Sequence, residues 1–113
     1  MDLTEKSKAY VAAFNAKDLD SVQAFFAEGF SLTDPAVSAL SPKAAVCDYI
    51  GQLFANAGPE FAFEAINIFT DGDVSIIEFV LTNAGERLRG VDVIHWEGGL
   101  MKSMRAYLNP ERT

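Results

Sequence analysis

The chain has little of what small reactive sites usually rely on: one cysteine, one histidine and one tryptophan in 113 residues. A single cysteine, Cys47, cannot close an internal disulfide. One His and one Cys with no ligand spacing make no metal centre, so no metal is expected. Cations are scarce: nine Lys and Arg stand against 16 Asp and Glu, for a net charge of −7. Binding nucleic acid needs a basic footprint on the phosphates, and none is visible. No apolar run nears the roughly 20 residues that span a bilayer. The opening MDLTEKSKAY lacks the apolar core of a signal peptide. Repeats, linkers and low-complexity segments are missing as well. The expectation is one cytoplasmic domain over residues 1–113, with no nucleic-acid or membrane partner.

What is present is apolar. Half of the residues are hydrophobic and nine are Phe, a composition that excludes disorder and supplies a core for a chain of this size. Asp2 with Glu5 three positions on reads as a capping box opening a helix, with Leu3, Tyr10, Val11 and Phe14 near one face. Asp18 reads as the N-cap of a second helix carrying Leu19, Val22, Phe25 and Phe26, closed by Gly29. Phe30 to Pro35 reads as a short strand. Ser41 and Pro42 read as N-cap and first residue of a third helix with the stripe Val46, Tyr49, Ile50, Leu53 and Phe54. From Glu60 the period changes to two. Four segments, Phe61 to Phe69, Val74 to Asn83, Arg87 to Trp96 and Leu100 to Leu108, are separated by the hairpin signals Asp71-Gly72, Ala84-Gly85 and Gly98-Gly99. The class is α+β: three N-terminal helices on one face of a curved, mostly antiparallel sheet.

Two acids stand out. Asp34 ends the short strand, and Asp92 interrupts a later strand that should be half buried. Strand carboxylates among apolar residues are costly unless paired, protonated or used. Alternation puts Leu88, Gly90, Asp92, Ile94 and Trp96 on one face and Arg89, Val91, Val93 and His95 on the other. In the last segment Leu100, Lys102, Met104, Ala106 and Leu108 share a face opposite Met101, Ser103, Arg105 and Tyr107. Asp92 then projects into an apolar cavity beneath the helices, while His95 faces away from it.

The stretches Ala9 to Pro35, Gly90 to Gly99 and Met101 to Leu108 resemble the nuclear transport factor 2-like superfamily, in its SnoaL-like and ketosteroid isomerase-like branch. The resemblance covers nearly the whole chain and implies a cystatin-like conical half-barrel with helices over a deep pocket. The branch's isomerases carry a Tyr on the first helix, an Asp before Pro after the first strand and an Asp before Val in a later strand; Tyr10, Asp34 and Asp92 match them. Their supporting tyrosine on the second helix is Phe26 here, Tyr49 is the nearest counterpart of the one on the third, and Leu108 replaces a cavity Trp. The expected lining is Leu88, Ile94, Met104 and Leu108 from the sheet, with Phe26, Tyr49 and Phe54 from the helices.

The resemblance implies cofactor-free acid–base chemistry on a small apolar carbonyl compound, with Asp34 as base and Tyr10 and protonated Asp92 as donors to the enolate oxygen. It also implies a homodimer through the open sheet face. Other readings stand beside these. The same cavity suits a SnoaL-like cyclase or hydratase, a non-catalytic hydrophobic-ligand module, or a cone filled by Phe63, Phe79 and Trp96. Asp34 also reads as an Asx-turn residue before Pro35, Asp92 as a partner of Lys102 or an Arg, and Tyr10 as a core aromatic.

Overall fold

The structure is a computed structural model and describes residues 2–110. Helix α1 spans Leu3–Asn15 and starts where Asp2 accepts the Glu5 amide hydrogen, as the cap pattern requires. It buries Ser7, Tyr10 and Phe14, one stripe at helical spacing. Helix α2 is a single short turn, Leu19–Gln23, capped by Asp18. Strand β1 runs Phe26–Thr33, helix α3 Lys43–Ala55, and strands β2 to β5 are Ala62–Asp71, Val74–Asn83, Glu86–Glu97 and Leu100–Pro110.

The sheet is open, in the order β1-β5-β4-β3-β2, with β1 parallel to β5 and all other pairs antiparallel. Helix α1 packs on β2 and β3, α3 packs on β1, and α2 bridges the two helices. One apolar cluster fills the space between helices and sheet. This is the cystatin-like α+β half-barrel, curved and unclosed.

Three local expectations are corrected. First, Phe26 belongs to β1 rather than to the second helix, and Gly29 lies inside that strand. A spacing of four satisfies both a helical face and one side of a strand, so Phe26 and Phe30 fit either pattern. Their rings stack at 4.1 Å. The register slips between Phe26 and Ser31, which pair with Met101 and Ser103. Extra β1 residues bulge there.

Second, α3 is capped by Pro42 without any side-chain bond, one residue later than the Ser41 reading. Third, β5 changes phase. Trp96 pairs with Met101 but His95 pairs with Ser103, so Lys102 is an extra residue. Met101 is therefore fully buried and Leu100 exposed, the reverse of simple alternation. Beyond that bulge Met104, Ala106 and Leu108 keep the inward face.

Gly90 has a specific cause. A Cβ there would meet the Tyr107 carbonyl oxygen, Leu108 Cβ at 2.8 Å and Phe79 Cζ at 2.8 Å. The missing side chain lets the Phe79 ring lie over β4.

Candidate active site

Asp34 follows the last residue of β1. The chain then doubles back, because Leu32 and Leu40 exchange backbone hydrogen bonds of 2.9 and 2.8 Å. Within that return Asp34 Oδ1 accepts the amide hydrogens of Ala36 at 2.7 Å and Val37 at 2.9 Å. The Asx-turn reading therefore holds. It does not exhaust the residue, because Oδ2 accepts the Tyr49 hydroxyl hydrogen at 2.7 Å and the side chain lines a cavity. A carboxylate offers about four acceptor positions; among the described residues three are used, and the one left is on Oδ2.

Tyr49 comes from α3 and fixes that helix to the end of β1. Burial, and then its bond to the Asp34 carboxylate and that group's charge, push its phenol up to about 12. It is a permanent donor at ordinary pH.

Asp92 lies mid-strand in β4, between Ile77 and Ala106, and is 4% exposed. Burial, then the charge of Asp34, push it up from 3.8 to about 7. Burial and the Asp34 charge are the causes of the shift, and Lys102 pairs instead with Glu97 at 3.3 Å, out in solvent. The reading of Asp92 as a partner of Lys102 is thus corrected, and the bulge that turns Lys102 outward is the reason. Tyr10, 2% exposed on α1, has its phenol raised well above the ordinary value by burial and then by the charge of Asp92. Phe14 and Phe25 hold its ring, each with centroids at 5.8 Å.

Tyr10, Asp34, Tyr49 and Asp92 all line one cavity of about 100 Å³. Its remaining walls are apolar, and Phe26, Met104 and Leu108 are among them. Phe63 and Phe79 narrow the interior without filling it. Three expected lining residues sit elsewhere. Ile94 is fully buried in the core. Phe54 packs edge-on against Phe14 at 4.9 Å and Phe61 at 6.0 Å. Leu88 belongs to an outer groove of about 730 Å³, which adjoins the cavity through Asp34, Tyr49, Leu53, Leu81 and Leu108.

Some of the geometry around the cavity carries no sequence signal. The Tyr49–Asp34 bond depends on how the loop after β1 folds back. A buried set formed by Ser7, Ser75 and Trp96 supports α1 from below: Ser7 Oγ donates to Ser75 Oγ at 3.0 Å, and Trp96 Nε1 donates to the same oxygen at 2.9 Å. His95 faces the other side of the sheet, 3.4 Å from Arg105, as alternation requires, and Glu78 accepts from Asn67 there at 2.8 Å. Among the described residues no group of three or more His, Cys, Asp or Glu is placed to hold a metal, and no helix is long and apolar enough to cross a membrane.

Helices over an unclosed curved sheet make the nuclear transport factor 2-like fold. The chain belongs to the SnoaL-like domain family, whose model matches residues 7–104. Among solved structures it is similar to a cystatin-fold protein from Novosphingobium aromaticivorans, with a TM-score of 0.84 and 19% identity over 94% of this chain and 97% of that one. It is also similar to a putative ketosteroid isomerase from Kribbella flavida, with a TM-score of 0.79 and 17% identity over 95% and 77% of the two chains. A third is an LEH-like epoxide hydrolase from M. tuberculosis, with a TM-score of 0.76 and 17% identity over 93% and 80%. These likenesses are of fold. No curated protein sequence matches the chain significantly.

Proposed function

We propose that the protein is a cofactor-free acid–base enzyme that moves a proton next to the carbonyl of a small apolar compound. The observation that carries this reading is the meeting of Tyr10, Asp34 and Asp92 on one apolar cavity, with Asp92 raised to about 7. Asp34 Oδ2, through its remaining lone pair, takes a proton from the carbon beside the carbonyl. The C–H electrons form the carbon–carbon double bond of an enolate, and the carbonyl electrons move to oxygen. Tyr10 and neutral Asp92 donate hydrogen bonds to that oxygen. Asp34 then returns the proton to the same carbon or a conjugated one. Donors held in a site of low polarity stabilise the developing charge more than water does, and a positioned base contributes about 10²–10⁴-fold.

The test is deuterium exchange at the α-carbon of short-chain ketones in D₂O, followed by NMR. The expected result is exchange above the buffer rate that Asp34→Asn removes. Exchange equal to buffer across the panel, or unaffected by that substitution, contradicts the reading.

A second reading is addition of water, as in a hydratase or an epoxide hydrolase. Support comes from two acids of unlike environment on one cavity, one to activate water and one to protonate the departing oxygen, and from the epoxide hydrolase that shares the fold. Product analysis with an epoxide and an enone separates it from proton transfer alone.

The reading extends to a homodimer through the sheet face opposite the helices. Phe69 and Tyr107 support it, at 56% and 59% exposure, since large exposed aromatics suit a contact. Light scattering that gives one chain's mass at high concentration overturns this extension.

A further inference from the structure

The cavity and the outer groove have different chemistry, and together they restrict the shape and charge of what can bind. The inner chamber, about 100 Å³, is smaller than the roughly 150 Å³ that encloses one benzene. It accommodates a group of about four or five heavy atoms. The groove beyond it is seven times larger, at about 730 Å³. Its walls include Gln52 in the last turn of α3, Asn56 at that helix's C-cap, and Asn83 at the end of β3. The Asn83 side-chain oxygen is held by the Gly58 amide at 3.0 Å. The charged residues lining the groove, among the described residues, are Asp34 and Glu86, both acidic. The chain as a whole carries −7.

We propose that the ligand is amphipathic: a compact carbonyl head of a few atoms enters the chamber, and an uncharged hydrogen-bonding tail lies along the groove against Gln52, Asn56 and Asn83. The field of Asp34 and Glu86 selects against tails that end in carboxylate or phosphate, which approach two anions and meet no cation among the described lining residues. Rigid polycyclic ketones are selected against by the chamber. This inference rests on the carbonyl reading of the cavity and adds the substrate's size and charge.

The experiment is an NMR titration of the intact chain at low salt with three probes. 4-Oxopentanamide has the small head and a neutral tail, 4-oxopentanoate has the same head and an anionic tail, and 4-oxo-4-phenylbutanamide has the neutral tail and a larger head. The expected order puts 4-oxopentanamide at least about tenfold tighter than each of the others. Added salt narrows the gap to the carboxylate, because the repulsion is screened. Glu86→Lys narrows it severalfold. Gln52→Ala with Asn56→Ala weakens the amide alone. Equal or reversed affinity for the carboxylate, tight binding of the phenyl compound, or no binding of 4-oxopentanamide at about 10 mM each overturns the proposal. Exchange at the ketone's α-carbon is read in the same samples: binding in the expected order without exchange removes the acid–base reading and leaves the size and charge selection standing.

Discussion

Tyr49 donates its hydroxyl hydrogen to Asp34 Oδ2 at 2.7 Å, joining the third helix to the end of the first strand. The acid is thereby held from two sides, by the phenol on one oxygen and by two backbone amides on the other. A side chain so restrained presents one acceptor position to the cavity instead of sweeping through several rotamers. Tyr49→Phe removes the bond while keeping the ring. The expected outcome is a stability loss of about 1 kcal/mol and a larger fall in exchange activity, read by denaturant unfolding alongside the deuterium assay.

Asp34→Asn separates the two jobs of that residue. The asparagine oxygen still accepts from Ala36 and Val37, so the turn persists and unfolding stability stays within about 1 kcal/mol of the parent. The charge and the basic lone pair are gone, so exchange falls by about 10²-fold or more.

Asp92 makes stability depend on pH in a direction opposite to that of most carboxylates. Its carboxyl is raised in the folded state to about 7, against about 3.9 in an unfolded chain. Folding therefore favours the neutral form. That contribution is complete below pH 4 and is lost as pH rises from about 4 to 7, up to a limit on the order of 4 kcal/mol. Asp92→Asn cannot ionise, so its stability relative to the parent increases across that window. Urea unfolding of both proteins at pH 4.5 and pH 8 measures the difference. The activity of the parent falls on the alkaline side near pH 7, as the donor is lost, and the alkaline limb is missing in the variant.

Ser75 Oγ accepts from both Ser7 and Trp96 in a fully buried position. Ser75→Ala leaves two donors without an acceptor. A loss of roughly 2 kcal/mol follows, seen as a lower urea midpoint.

Gly90→Ala places a methyl group against the Tyr107 carbonyl, Leu108 and the Phe79 ring. Since β5 backbone is one of the groups it meets, the ring cannot relieve the whole overlap. A destabilisation of about 1–3 kcal/mol is expected, together with a change in ligand affinity, because Phe79 and Leu108 also line the cavity.

Much of this was readable from the chain. The turn signals around Gly72, Gly85 and Gly98-Gly99 delimit the hairpins, and alternation alone puts Asp92 inward and His95 outward. The helix–strand boundary at Phe26 is ambiguous in sequence for a physical reason: residues four apart fit a helix and a strand equally. The face of Lys102 is not legible from period two, which carries no information about a bulge. The partner of Asp34 was illegible for another reason. It depends on a loop pinned by the Leu32–Leu40 pair, a contact set by tertiary packing. Cavity size was beyond reach as well, since it follows from how Phe63 and Phe79 seat against the helices.

The most direct measurement is a ¹³C NMR titration of the Asp92 carboxyl in the parent and in Asp34→Asn. Two acids that share an apolar cavity require Asp92 to titrate near 7 in the parent and lower once the Asp34 charge is removed. Titration near 4 in both proteins contradicts the account.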